Sequence, residues 1–214
     1  MSRTDRIQAV ALTAIAAIVA ASAVAQASPR GVKRIEKVAE DKNPARAAKD
    51  VGVIQTSFGT IEIEFFDADA PEHVANFKKL VRSGFYDGTT FHRVFPDFVI
   101  QGGDPNSKDN DPSNDGQGGP GYTLPAEIKR PHKRGAVAAA RLPTGSNPEK
   151  RSSGSQFYIA LKDDLQSLDI DGYTVFGRVV KGMDVVDRIA AVDRGPKDRP
   201  LQPVKMTRVT IETR

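Results

Sequence analysis

The chain has 214 residues, a formal net charge of +4 and no cysteine. This length allows one medium-sized domain with extensions, and the lack of cysteine excludes disulfides, thiolate nucleophiles and cysteine-ligated metals. The positive charge does not indicate nucleic-acid binding, because the excess lies within residues 1–50 and residues 51–214 carry equal numbers of acidic and basic side chains. We therefore expect no nucleic-acid partner.

The first 27 residues have the pattern of a secretory signal peptide. Arg3 and Arg6 precede an apolar run, residues 7–21, which is followed by small residues at A-x-A spacing in residues 23–27. The alternative is an uncleaved membrane anchor, but the run is short and rich in alanine for a spanning helix. We predict cleavage, a periplasmic or secreted location, and contact with the membrane only during export.

Residues 28–50 form a charged segment that is interrupted by Pro29, Gly31 and Pro44. Such a composition is typical of a flexible linker. We therefore place the start of the folded domain at residue 51 and its end at residue 214.

The domain begins with two predicted strands and a helix. Val51–Gln55 and Thr60–Phe66 are rich in β-branched and aromatic residues, and the second alternates apolar residues with glutamates. A helix is predicted from Pro71, a residue favoured in the first helical turn. It should end before Gly84 and bury an apolar stripe of Val74, Phe77, Leu80 and Val81.

Short strands bounded by turn residues follow. They are predicted near Thr90–Phe95, Phe98–Gln101, Ala136–Ala140, Gln156–Ala160 and Thr174–Val180. A second helix should begin after Gly182, and a last strand should contain Val209 and Ile211. Many short strands with two helices indicate a mostly β fold, a closed barrel with the helices capping its ends.

Two motifs that suggest ligands fail the test of context. Gly116–Gly121 matches G-x-G-x-x-G, but a polar segment precedes it and Pro120 and Pro125 prevent a helix from starting there, so a glycine-rich turn is favoured over a dinucleotide site. The preceding acidic run resembles a calcium loop, but its closing position, which needs a bidentate carboxylate, is Tyr122.

The three histidines, His73, His92 and His132, lie far apart and lack the spacing of zinc ligands. We interpret them as structural or surface residues. The sequence also has no serine in a G-x-S-x-G elbow. No metal and no cofactor are therefore expected.

Three polar residues stand out because they interrupt apolar strands. Arg93 lies among phenylalanines and valines, and burying an unpaired guanidinium is costly. Gln101 and Gln156 occupy similar settings, and alternation along a strand places Gln101 beside Val99 and Gln156 beside Tyr158. These groups either tie down loops or line a groove for an extended peptide; the repeated pattern favours the groove.

Four stretches resemble the cyclophilin family of peptidyl-prolyl cis-trans isomerases. They are FHRVFPDFVIQGGDP, GQGGPGYTLPAEI, SGSQFYIAL and LDIDGYTVFGRVVKGMDVVDRI, and they occur in the family's order across residues 51–214. The pattern F-H-R-x-x-P-x-F-x-x-Q-G-G-D is highly specific, and GGPGY is similar to the bacterial branch. The resemblance implies an eight-stranded antiparallel β-barrel closed by two α-helices.

The resemblance also implies roles for individual residues. Arg93 corresponds to the catalytic arginine, and Gln101 to a residue that contacts the substrate backbone, with Gln156 beside it. Ala140 and Arg141 fall where the family's groove strand touches the substrate chain. The proline pocket would be lined by Phe98, Val99, Tyr158 and Leu168, and Tyr173 stands where many members have histidine.

The sequence departs from the family pattern in four places. Val99 stands where methionine is common, Tyr158 where phenylalanine is usual, and Ser167 where eukaryotic members often have tryptophan. The segment RLPTGSNPEKRSSG, residues 141–154, is several residues longer than the usual loop. These departures affect inhibitor affinity and substrate preference.

The implied function is peptidyl-prolyl cis-trans isomerisation in exported proteins, by a monomer that assists their folding. The expected partners are proline-containing segments of unfolded or exported polypeptides. The alternative is a proline-peptide binding module or holdase chaperone without useful turnover. Arg93 favours catalysis, because binding alone needs no hydrogen-bond donor to the imide nitrogen.

Overall fold

The structure is a computed structural model, and it describes residues 48–109 and 111–214. The predicted signal peptide, residues 1–27, and most of the predicted linker lie outside these residues. The first strand already includes Asp50, and the backbone N–H groups of Lys49 and Arg214 each donate to the other residue's carbonyl oxygen.

The main sheet has eight strands, and every strand pair in it is antiparallel. The strands are β1 (Asp50–Thr56), β2 (Gly59–Phe65), β3 (Arg93–Phe95), β4 (Val99–Gly102), β5 (Thr123–Leu124), β6 (Ala136–Ala139), β7 (Ser152–Ser153), β8 (Phe157–Ala160), β9 (Val175–Lys181) and β10 (Met206–Thr213). The order in the main sheet is β10-β1-β2-β9-β6-β8-β4-β3. A separate two-stranded sheet pairs β5 with β7.

The prediction of a closed barrel is supported only in a coarser form. The structure has one curled eight-stranded sheet, and β3 and β10 are its edge strands. An isolated bridge joins Thr90 to Lys205, next to these edges. The Phe91 N–H donates to the Val204 carbonyl at 2.9 Å, and the Met206 N–H donates to the Thr89 carbonyl at 2.8 Å. Full closure of the sheet stays a prediction.

Strand β2 shows how the sequence pattern sets the two faces of the sheet. Ile61 and Ile63 are fully buried, as their alternation predicts. Glu62, expected on the wet face, is also covered, because its carboxylate contacts Lys181 and Arg214. Charged side chains thus cover part of the outer face of the sheet.

Helix α1 (Pro71–Arg82) has the predicted start and buried stripe, Val74, Phe77, Leu80 and Val81. Its N-cap, Ala70, provides no side-chain cap. The carboxylate of Glu127 instead accepts from the backbone N–H groups of Glu72 and His73, at 3.1 and 3.0 Å. This negative charge at the helix N-terminus is favourable to the helix dipole.

Within the described residues, the structure has three α-helices, one more than predicted. Helix α3 (Met183–Ala190) begins after Gly182, as predicted, whereas α2 (Gln166–Asp171) was missed. Helix α2 has only six residues and ends at Gly172 in the left-handed conformation, so its apolar periodicity is too short to read. Within the described residues, no helix combines the length and hydropathy needed to cross a membrane.

Two apolar clusters occupy the fold. The larger one contains Phe91, Phe157 and Met206 and packs both long helices, α1 and α3, against the sheet. The second cluster contains side chains of β4, β6, β8, β9 and α2. Alternate residues of β4, β6 and β8 belong to different clusters, so the two clusters lie on opposite faces of the sheet.

Because two histidines are buried, we predict that the domain loses stability on mild acidification. Burial lowers the pKa of His73 and of His92. The folded state therefore keeps both rings neutral below pH 6.5, whereas the unfolded chain takes up protons. Stability should fall as the pH drops below this value, by up to about 1.4 kcal/mol per pH unit for each histidine.

This pH dependence is tested by urea unfolding of the wild type and of His92→Gln between pH 7 and 5.5. Most carboxylates titrate below this range, so the slope reports mainly on histidine. The variant should show a shallower decline, whatever its absolute stability. Identical slopes would show that His92 is not kept neutral by the fold.

Candidate active site

The predicted site residues of three neighbouring strands lie in one row across the sheet. Arg93 on β3 pairs with Gln101 on β4, which in turn pairs with Tyr158 on β8. Tyr158 pairs with Ala138 on β6. Directly paired residues point to the same face of a sheet, so this register brings the arginine, the amide and the aromatic ring together.

Arg93 itself is less buried than its apolar setting suggested. Its side chain is 47% exposed, and its Nη2 lies 4.0 Å from Asp198 Oδ2. The guanidinium carbon lies 5.9 Å from the centroid of the Phe95 ring. The apolar neighbours of Arg93 in the sequence therefore do not bury it, because β3 is an edge strand whose side chains alternate between core and solvent.

The two glutamines form one hydrogen-bonded unit. Gln101 Nε2 donates to Gln156 Oε1 at 3.0 Å, and Gln156 Nε2 donates to the carbonyl oxygens of Gly116 and Gly118 at 3.0 and 2.8 Å. Gly116–Gly121 is the segment that matched G-x-G-x-x-G, and it forms turns and bends rather than opening a helix. Gln156 thus fixes the glycine-rich turn beside Gln101.

The predicted lining of the proline pocket falls within the second apolar cluster. Val99, Tyr158 and Leu168 are buried there, and Phe98 and Tyr173 pack against the cluster while staying partly exposed. These five residues come from three strands or their flanks and from α2. The structure therefore brings together side chains that are up to 75 positions apart in the sequence.

Ala140 and Arg141 continue from β6 along the same region. The Ala140 N–H donates to the Gln156 carbonyl at 2.9 Å, and the Ala140 carbonyl accepts from the Ser153 N–H at 2.7 Å. The Arg141 guanidinium lies over the Tyr173 ring, 4.4 Å from its centroid. The two residues therefore connect the apolar cluster to the long 141–154 loop.

A hydrogen-bond chain that the sequence did not reveal leads from Tyr158 through the buried His132 to the partly exposed Asp169. His132 Nδ1 lies 2.6 Å from Asp169 Oδ1, and His132 Nε2 lies 2.7 Å from the Tyr158 hydroxyl. A carboxylate only accepts, so Nδ1 carries the proton, and with a neutral ring the tyrosine donates to Nε2. Burial raises the pKa of Tyr158, which keeps the hydroxyl protonated.

Removing this hydroxyl should destabilise the fold. In Tyr158→Phe, His132 Nε2 loses its partner while remaining buried, which costs about 1–3 kcal/mol. We expect a lower urea midpoint at an unchanged slope. Tyr122→Phe is the matched control, since its hydroxyl donates to Asn76 near the surface and its loss leaves the partner open to water.

A midpoint for Tyr158→Phe equal to that of the wild type would show that His132 finds another partner. A midpoint loss in Tyr122→Phe as large as in Tyr158→Phe would show that burial is not the cause.

Asp104, the last residue of the F-H-R-x-x-P-x-F-x-x-Q-G-G-D pattern, anchors the glycine-rich turn. It is fully buried, and its carboxylate accepts from the backbone N–H groups of Asn106, Gly116 and Gly118. An added Cβ at Gly118 would overlap the Asp104 carboxylate, which explains the glycine there. Sequence reasoning gave Asp104 no role, although its place at the end of the F-H-R-x-x-P-x-F-x-x-Q-G-G-D pattern was a usable signal.

The site thus combines an apolar cluster, an arginine and two hydrogen-bonded amides on one curled β-sheet. A family model, described as cyclophilin type peptidyl-prolyl cis-trans isomerase/CLD, matches residues 51–211. The chain therefore belongs to the cyclophilin family, and it is a peptidyl-prolyl cis-trans isomerase.

Named relatives agree with this assignment. The chain is 42% identical to a peptidyl-prolyl cis-trans isomerase of Synechococcus elongatus, over 65% of this chain and 92% of the relative. It is 40% identical to one of Acinetobacter baylyi, over 75% and 84%.

A solved structure shares the fold. The cyclophilin type isomerase of Cryptosporidium parvum superposes with a TM-score of 0.68 at 25% identity, covering 78% of this chain and 99% of that one. A second structure of the same protein, obtained in the presence of the dipeptide Ala-Pro, gives a TM-score of 0.67 at 26% identity.

Proposed function

We propose that Arg93 is the catalytic residue and that the second apolar cluster receives the proline ring of the substrate. The observation that carries this proposal is the register that aligns Arg93, Gln101 and Tyr158 on one face of the sheet. The proposed contacts to substrate are Phe98, Val99, Gln101, Ala140, Arg141, Gln156, Tyr158, Leu168 and Tyr173.

The mechanism follows from the electronic structure of the imide bond. Rotation about an X-Pro bond breaks amide resonance, so the proline nitrogen regains its lone pair and becomes a hydrogen-bond acceptor in the twisted transition state. Arg93 donates to that nitrogen only in the twisted geometry. The interaction is therefore absent from the planar ground state and lowers the barrier instead of only tightening binding.

Arginine suits this role for two reasons. Its guanidinium remains charged in a partly dry site, and its planar fork carries several donors. One edge can point towards Asp198, 4.0 Å away, while other N–H groups remain available to the substrate. The apolar pocket holds the ring while the carbonyl before the proline turns, and this chemistry uses no covalent intermediate.

The experiment is an exchange NMR assay of a proline peptide with the full chain. We expect catalysed cis-trans exchange at substoichiometric enzyme, against an uncatalysed exchange that takes tens to hundreds of seconds. Peptide binding without faster exchange would favour the alternative, a proline-peptide binding module or holdase.

We further propose that the enzyme acts as a monomer on exported proteins, in the periplasm or outside the cell. The charged start, apolar run and A-x-A spacing of residues 1–27 support this proposal. Mass spectrometry of the exported protein should find a mature N-terminus near Gln26 or Ser28. An intact Met1 in exported protein would contradict cleavage.

A further inference from the structure

A basic groove of about 800 Å³ extends from the proposed site along the long 141–154 loop. It shares Gln101, Ala140 and Gln156 with the proposed site, so the groove and the site are continuous. Its other walls come from the glycine-rich turn, from β5 and from the loop. The lining includes Thr123, Arg141, Asn147 and Arg151.

The charges in this groove all have one sign. Its lining contains Arg141 and Arg151 and no aspartate or glutamate. The loop itself, residues 141–154, has three basic side chains and one acidic one, Glu149, which does not line the groove. A concave surface of one charge favours a substrate that carries the opposite charge.

The two groove arginines are bonded to neutral groups only, as far as the described residues show. Arg151 donates from Nε to Thr123 Oγ1 at 2.7 Å and from Nη2 to the Thr123 carbonyl at 3.0 Å. Arg141 donates to the Gly172 carbonyl at 3.1 Å and to the Leu142 carbonyl at 2.8 Å. Most other arginines of these residues have a carboxylate within 4.0 Å; these two have none there.

The loop is also held in shape by its own hydrogen bonds. Asn147 Nδ2 donates to the Arg151 carbonyl at 2.8 Å, and Asn147 Oδ1 accepts from the Arg151 N–H at 3.0 Å. Next to Arg151, β7 pairs with β5, which also carries Thr123. The guanidinium of Arg151 is thus positioned before any substrate arrives, so little ordering entropy is lost on binding.

We infer that this groove makes the enzyme selective for prolyl peptides with an acidic side chain within a few residues of the proline. Arg151, with Arg141 beside it, supplies the charge that a glutamate or aspartate of the substrate meets. The inference rests on the proposed function of the site, and it gives the enlarged 141–154 loop a role in substrate choice.

The test compares matched peptides that differ only in a glutamate, glutamine or lysine at one position, placed two, three or four residues before or after the proline. For at least one placement, kcat/KM should be about two- to fivefold higher for glutamate than for glutamine, and lowest for lysine. The glutamate-to-glutamine ratio of kcat/KM should fall towards one in 1 M NaCl, where the Debye length is about 3 Å.

Variants identify the residue responsible. Arg151→Gln should bring the glutamate-to-glutamine ratio close to one, whereas Arg151→Lys should keep most of it, because the charge remains although the bonds to Thr123 change. The matched control is Arg208→Gln, an exposed arginine of β10 that does not line the groove.

The outcomes separate this inference from the proposed function. If the glutamine peptide is isomerised and no placement gives a preference for glutamate, the inference is wrong and the proposed function stands. If no peptide is isomerised, the proposed function itself fails. A preference that persists in Arg151→Gln would also overturn the assignment to this groove.

Discussion

Replacing Arg93 with alanine should lower the turnover of proline peptides about ten- to a hundredfold while changing peptide affinity far less. The reason is that the guanidinium meets its acceptor, the imide nitrogen, only in the twisted transition state. A charge-assisted hydrogen bond of this kind contributes about 1.5–3 kcal/mol. Since each 1.36 kcal/mol changes a rate tenfold, the expected loss follows.

Arg93→Lys should recover little of this activity. Lysine has a compact ammonium in place of a planar fork, so one donor group would have to serve both Asp198 and the substrate. Folding should survive either change, because the Arg93 side chain is half exposed on an edge strand.

Exchange NMR gives the turnover, and calorimetric titration of the peptide gives the affinity. The matched control is Arg188→Ala on α3, whose guanidinium pairs with Asp184 on the same helix and lies outside the site. A folded Arg93→Ala variant that keeps nearly full turnover would refute the mechanism. Equal losses of affinity and turnover would make Arg93 a binding residue.

The parts of the site that follow strand alternation could be predicted from sequence. Val99 and Gln101 are two residues apart on β4, and so share a face once β4 is recognised as a strand. The sequence allows β4 to be recognised as a strand, because turn residues, Pro-Asp and Gly-Gly, bound a short apolar segment. The pairing of Arg93 with Gln101 needs only the hairpin between them, which is local.

The parts of the site that depend on distant pairing were out of reach. His132, Tyr158 and Asp169 become a hydrogen-bond chain only when β8 lies between β6 and β4 and when α2 packs beside them, and no local pattern encodes that packing. The exposure of Arg93 could not be predicted for the same reason. An apolar run reads as buried, but the position of its strand at the sheet edge is a property of the whole topology.

Asp104→Asn should destabilise the domain by about 3 kcal/mol or more, although the two side chains have nearly the same shape. The buried carboxylate accepts from three backbone N–H groups, those of Asn106, Gly116 and Gly118. An asparagine can still accept from Asn106 through its oxygen, but its NH₂ group would then face the two glycine N–H donors. A hydrogen bond to a charged group contributes about 1.5–3 kcal/mol, and the substitution removes two of them from the buried Asp104 carboxylate.

The loss should appear as a fall in melting temperature of about 6–12 °C, since 1 kcal/mol corresponds to about 2–4 °C in a domain of this size. Asp171→Asn is the matched control, because Asp171 is exposed and its side chain makes no hydrogen bond within the described residues.

The activity of Asp104→Asn should fall as well, at a temperature where this variant is still folded. Gln156 holds the carbonyl oxygens of the same two glycines, so a turn released by Asp104→Asn also releases Gln156 and, through it, Gln101. A variant with the melting temperature of the wild type would show that the turn keeps its shape without the carboxylate. A variant that melts early but retains full activity when folded would show that Asp104 supports the fold and not the site.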